Sequence, residues 1–191
     1  VEGYDCMGNA LLVNQSIDLS SGWNMWSTYI DPLMDPIPES DLCDLGEDGF
    51  GGSSSLMSTL FSDIVSSVII VKDQNGNVFW PEFELNSIGC ITNGQGYQAK
   101  MNSDNVLELE GELIPSNLDI PLASGWGMIG YLHATNLNAA DMMSSLVDMN
   151  MLTILKDEYG NVYWPEFALN TIGNMTPGQG YQIKTNDAVV F

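Results

Sequence analysis

Positive charge is almost missing from this chain. Its 191 residues include 4 lysines, no arginine and 1 histidine against 25 Asp and Glu, a formal net charge of -21. Such a surface repels phosphate backbones and anionic membrane faces at long range, which argues against nucleic acid as a partner. The same carboxylates keep a chain soluble and attract divalent cations, so an extracellular, calcium-containing medium suits it. Long apolar runs are absent too: none approaches the roughly 20 residues that cross a bilayer, and no membrane insertion is expected. No charged start and apolar signal core open the sequence, as in a mature product or one cut from a longer precursor. Cysteine is scarce. Cys6, Cys43 and Cys90 are too few for a zinc site and permit at most one internal bridge. Cys6 to Cys43 is the expected pair; three free thiols, with Cys90 buried, are the alternative. Catalytic signatures are lacking as well: no G-x-S-x-G elbow, no P-loop, no histidine cluster, and His133 stands alone. The expectation is a non-enzyme, although the many carboxylates keep an acidic hydrolase as a third reading.

What the sequence has is repetition. The stretch DQNGNVFWPEFELNSIG at 73–89 returns as DEYGNVYWPEFALNTIG at 157–173, identical at twelve of seventeen positions. IDLSSGWNMWSTY at 17–29 matches IPLASGWGMIGYL at 120–132, and TNGQGYQAK at 92–100 matches TPGQGYQIK at 176–184. The Gly-Trp pairs are offset by 103 positions and the later blocks by 84, so the first copy carries 19 extra residues, mostly in the Pro-, Gly-, Ser- and Asp-rich segment 31–55. Each copy reads as a strand ending at a Ser-Gly turn, a Trp-bearing strand (Trp23 or Trp126), and a short amphipathic helix. The helix stripe is Leu56, Met57, Leu60, Phe61, Ile64 and Val65 in copy one, and Met142, Met143, Leu146 and Val147 in copy two. An apolar strand, VIIVKD or LTILKD, then enters a hairpin through the DQNGN turn, with its Asn-Gly, and leaves at a proline that ends it. GYQAKMNSDNVLELE and GYQIKTNDAVVF read as a second hairpin, turning at 102–105 and 186–187.

The expected fold is α+β but mainly β: two tandem copies of a small module of about six short strands and one helix, barrel-like or sandwich, packed with pseudo-twofold symmetry. Residues 1–15 read as a leader ending a preceding module, 16–110 as repeat one with the acidic excursion at 31–55, 111–118 as linker, and 119–191 as repeat two. The GWN, KD..GNVYWPE...N.IG and T.GQGYQ.K pattern, over nearly all of 17–187, resembles a repeat module of large secreted and cell-surface proteins of marine and other Bacteroidetes-type bacteria. GYDCMGN at 3–9 is similar to the YDCDGNC segments that precede such modules, with Met7 at the usual Asp and no second Cys near Leu11. The resemblance implies an exported, multidomain protein, located extracellularly or at the cell surface, whose partners are neighbouring modules of the same polypeptide. It implies no known reaction.

Three groups of residues invite a functional reading. An exposed tryptophan beside a carboxylate stacks a pyranose ring and bonds its hydroxyls, so Trp80 with Glu82 and Trp164 with Glu166 form a candidate polysaccharide site, with Trp26 as a further platform. Packing within or between the copies is the alternative. The only cations, Lys72, Lys100, Lys156 and Lys184, sit at two matched positions per copy, so each is expected to have a fixed carboxylate partner, Glu82 or Glu166. A Lys-to-Asn amide bond accepting at Asn86 and Asn170 is the covalent variant. No cofactor is expected, with calcium as the possible exception: Asp73, Asn75 and Asn77 resemble the start of a calcium loop, and Glu84 stands twelfth. A hairpin turn explains the same residues, and the acidic excursion is the other place for a weak divalent site.

Overall fold

The computed structural model describes residues 12–32 and 56–191. In the first half, β1 (Leu12–Leu19), β2 (Gly22–Trp26) and β3 (Ile30–Pro32) precede helix α1 (Met57–Leu60) and a 3-10 turn (Ser62–Ser67). Strands β4 (Val68–Lys72) and β5 (Val78–Trp80), a 3-10 turn (Pro81–Phe83), β6 (Leu85–Asn86), β7 (Tyr97–Met101) and β8 (Asn105–Leu113) follow. The second half runs β9 (Pro121–Leu122), β10 (Gly125–Gly130), β11 (Leu137–Asn138), α2 (Ala139–Met142), α3 (Ser144–Asp148) and β12 (Leu152–Lys156). It ends with β13 (Val162–Trp164), a 3-10 turn (Pro165–Phe167), β14 (Leu169–Asn170), β15 (Asn174–Met175), β16 (Gly180–Thr185) and β17 (Val189–Val190). Strands hold 47% and helical turns 16% of the described residues, so the chain is mainly β.

Two five-stranded sheets have the same order, β2-β7-β4-β5-β6 and β10-β16-β12-β13-β14. No sheet among the described residues closes into a barrel. A three-stranded sheet, β1-β8-β3, and two small pairs, β17-β9 and β11-β15, complete the topology. The expected second hairpin is corrected by this order. β7 and β8 follow one another around a turn, yet β7 pairs with β2 and β4 while β8 pairs with β1 and β3, and β16 and β17 separate in the same way. The turns are corners between sheets, stitched by side chains rather than by a ladder: Ser21 N donates to Asp104 Oδ1, and Asn102 Nδ2 donates to Ser66 O.

Period-two alternation writes the inward faces. Ile17 and Leu19 of β1 and Leu107 and Leu109 of β8 are buried between exposed neighbours. They join Trp26, Phe61, Val71, Ala99 and Met101 in one core, whereas Ile129, Met143, Leu155, Tyr181 and Ile183 belong to a second that shares no residue with the first. The helical stripes do face these cores, with Met57, Leu60, Phe61 and Ile64 buried, but Val65 is exposed and the single helix expected per copy is broken into short turns. Ser, Thr and Asp dominate the intervening positions and compete with the helix for backbone partners. β1 starts no later than Leu12, and its eight-residue ladder with β8 engages part of the segment read as leader. β8 likewise reaches Leu113, within the expected linker.

The halves meet edge to edge along β2 and β10. Trp26 bridges Gln179, and Gln95 bridges Ile129. Ser27 N donates to Gly178 O and Gly130 N to Gly94 O, at 2.9 and 2.8 Å. A Cβ on Gly180 would stand 2.7 Å from Trp26 O, and one on Gly96 2.6 Å from Ile129 O, so only glycine permits this approach on either side.

Candidate functional site

The tryptophan carried by the edge strand of each five-stranded sheet points outward. Trp23 is 51% and Trp126 55% exposed. Lys100 stands directly opposite Trp23 in the β2-β7 register, and Lys184 opposite Trp126 in the β10-β16 register. Lys72 and Lys156 reach the same rings from the next strand over. Their Nζ atoms lie 5.2 Å (Lys72) and 5.7 Å (Lys100) from the Trp23 ring centroid, and 5.5 Å (Lys156) and 5.9 Å (Lys184) from that of Trp126. Each such cation over an exposed ring contributes about 0.5–1 kcal/mol. All four cations of the chain are thus gathered at two equivalent aromatic faces. The expectation of carboxylate partners is corrected: among the described residues no ion pair engages Lys72, Lys100, Lys156 or Lys184, and Glu82 and Glu166 are exposed elsewhere. The matched spacing of the lysines pointed to a shared role, but their partner is set by cross-strand register, which local sequence does not carry.

The cleft beside Trp126 lies at the seam. Trp126, Met128 and Gln182 of the second half line it together with Asp73, Gln74 and Gln98 of the first. A neighbouring hollow runs from Gln74 and Asn75 past Pro121, Leu122 and Gly125 to the same indole. Amide side chains and the Asp73 carboxylate therefore surround a partly exposed aromatic ring.

The WPEF blocks are arranged differently. Trp80 and Trp164 are half-buried, each packed edge-on by an exposed phenylalanine, Phe83 at 4.6 Å and Phe167 at 4.7 Å. Their indole N–H groups are turned inward without a hydrogen-bond partner. Strand alternation does place Phe79 inward, 5% exposed, and Trp80 on the opposite face. The residue after each turn, Glu84 or Ala168, has φ of 51° or 50°, a left-handed conformation that turns the chain back into β6 or β14. Trp26 is corrected outright: it is fully buried, stacked on Tyr97 at 5.2 Å with Phe61 edge-on at 5.3 Å, and offers no surface. The sequence held a signal for this, since its counterpart in the second copy is the apolar Ile129. Asn86 and Asn170 are also engaged away from any lysine, accepting from Gly89 N and Gly173 N and donating to Ser58 Oγ and Asn138 Oδ1.

The turn that suggested calcium is built on its own aspartate. Asp73 Oδ1 accepts from Asn75 N and Asn77 N, and Oδ2 from the Asn77 amide; Asp157 does the same toward Tyr159 and Asn161. The turn is a five-residue loop closed by the Lys72–Val78 pair, with Gly76 in the left-handed region, rather than a two-residue Asn-Gly turn. Its tip crosses the seam. Gln74 Oε1 accepts from Met128 N at 2.9 Å, and Glu158 Oε2 accepts from Met25 N at 2.8 Å. Among the described residues, no group of three or more His, Cys, Asp or Glu side chains converges as a metal site.

Other expected candidates fall elsewhere. His133 packs against Tyr131, ring centroids 5.4 Å apart. Cys90 is disulfide-bonded, its partner lying outside the described residues; this corrects both the Cys6–Cys43 pairing and a free Cys90. Asp35, Glu39, Asp41, Asp44, Glu47 and Asp48 of the acidic excursion also lie outside the described residues. The strongest titration effects are structural: burial pushes the Tyr97 and Tyr181 hydroxyls up to about 12 while each accepts a hydrogen bond from a threonine amide, Thr92 N or Thr176 N. No family model, curated protein or solved structure matches the chain.

Proposed function

We propose that the chain is a non-catalytic, extracellular structural and adhesive unit of a larger secreted or surface protein, made of two copies of one module that lock about a pseudo-twofold axis. The observation that carries the reading is the reciprocity of the seam. Trp26, Ser27 and Met25 contact Gln179, Gly178 and Glu158, while Ile129, Gly130 and Met128 contact Gln95, Gly94 and Gln74. The first set maps onto the second through the offsets of 103 and 84 found in the sequence, which is how an isologous interface is built. The duplicated turn thus caps the other copy's edge strand and protects it from pairing with foreign chains. The disulfide at Cys90 supports an oxidising compartment. The likeness to surface repeat modules and the acidic surface support export, with neighbouring modules as partners. Carbohydrate binding is the second reading, favoured by the exposed aromatics.

Thermal unfolding of the full chain tests the first reading. One cooperative transition is expected, and Gln74→Ala or Glu158→Ala should each lower stability by about 1–2 kcal/mol, the cost of an unpaired buried donor at the seam. Two separate transitions in the unaltered chain, with neither change shifting them, would show that the copies do not act as one unit.

A further inference from the structure

The four lysines form a chemical arrangement that ion pairing does not explain. In a chain with 25 carboxylates, each cation had abundant anionic partners, yet among the described residues none is ion-paired and all four converge on two exposed indoles. Unpaired ammonium groups beside an apolar ring match a ligand that combines an apolar face with a negative charge. A pyranose ring bearing a carboxylate or sulfate has both: its C–H face stacks on indole and its anion engages two lysines. The seam supplies the rest at Trp126, where Gln98, Gln182 and Gln74 present amides suited to hydroxyl groups, while the Asp73 carboxylate that also lines the cleft accepts from Asn75 N, Asn77 N and the Asn77 amide of its own loop.

We propose that Trp126, Lys156 and Lys184, with the adjoining cleft between the copies, bind an acidic sugar residue of a polysaccharide. The proposal rests on the adhesive reading and names its ligand class. The counterpart at Trp23 is the weaker site. There the capping side chain on β2 is the anionic Glu158, two residues along from Trp23 at Met25, where the Trp126 site has neutral Gln74. The chain's general negative charge does not prevent capture, because repulsion from carboxylates beyond the Debye length of about 8 Å at physiological salt is largely screened while the lysines act at contact.

Titration of the full chain with a hexuronate oligosaccharide, a sulfated galactan fragment and a neutral glucan oligosaccharide, read by calorimetry and tryptophan fluorescence, tests the site. The charged saccharides should bind at least tenfold more tightly than the neutral one. Trp126→Ala and the Lys156→Gln/Lys184→Gln pair should each weaken that binding about tenfold, and Trp23→Ala by threefold or less. Glu158→Gln should strengthen binding at Trp23 in a Trp126→Ala background. Preference for the neutral glucan, equal binding of a polyglutamate peptide, or loss of binding on Trp164→Ala but not Trp126→Ala would overturn the proposal. Melting curves on the same samples separate the two ideas: a single transition without acidic-saccharide binding removes the site and leaves the paired module, whereas two transitions remove the paired module whatever binds.

Discussion

The two halves share a strand order and a seam but fill their cores with different matter. In the first, Trp26, Tyr97, Phe61 and Phe79 form a chain of ring contacts 5.2 to 6.2 Å between centroids. At the corresponding places the second has Ile129, Tyr181, Met143 and Tyr163. The outer ladder differs as well: eight β1-β8 pairs in the first half shrink to two β9-β17 pairs in the second. The seam itself scarcely changes. Ser27 N to Gly178 O and Gly130 N to Gly94 O run between backbone groups and the closest approaches are at glycines, so this part of the seam survives exchange of core side chains whose shapes have little in common, and of the side chains that cross it, Gln74 in one copy and Glu158 in the other. Divergence after duplication is tolerated where volume can be redistributed, and is resisted where two backbones touch.

Replacing the matched core residues should break the comparison hardest. Trp26→Ala should cost about 3–5 kcal/mol and Ile129→Ala about 2–4 kcal/mol, because the indole leaves the larger cavity. Urea unfolding of both variants measures this, and a costlier Ile129→Ala would mean that the aliphatic half governs stability. Next come the glycines. Gly96→Ala and Gly180→Ala each drive a methyl group against a carbonyl across the seam, at about 1–3 kcal/mol; reciprocity demands nearly equal losses, so a large inequality would show that one side of the seam is slack. The smallest effect appears only in alkali. Tyr97 and Tyr181 ionise near 12 in the folded chain and about 10 when unfolded. The unfolded state therefore loses its protons first, and the stability gained from the buried neutral hydroxyls is complete below pH 10 and lost as pH rises through 12. Urea midpoints from pH 8 upward should fall in that window, with Tyr97→Phe and Tyr181→Phe flattening the slope to similar degrees.

The elements with local causes were legible in the sequence. Apolar runs ending in Lys-Asp marked β4 and β12, the DQNGN and DEYGN turns marked the returning β5 and β13, and Pro81 and Pro165 ended them. Burial along the helical stripes was also legible, although the helices were shorter than the pattern suggested. What sequence did not carry was pairing between distant strands. The Asn102 and Asn186 turns look like hairpin tips because nothing near them says that β8 and β17 belong to other sheets. The same blindness assigned the lysines to Glu82 and Glu166, since the opposition of Lys100 to Trp23 and of Lys184 to Trp126 exists only once β7 and β16 have found their edge strands. Trp26, set among residues shared with an exposed tryptophan motif, looked like a surface platform and proved to be the centre of a core.

Seven residues, 114–120, separate β8 from β9, and in the paired module proposed above they join two surfaces matched as the subunits of a homodimer are. A tether this short holds its partners at an effective concentration of the order of millimolar. At micromolar protein, each half then meets its own chain's other half about a thousand times more often than a stranger's. Lengthening that segment would leave every contact in place and still turn a closed monomer into a component of exchanged dimers and chains, so the connection, which touches no ligand, decides whether the duplicated module ends in one molecule or propagates through many.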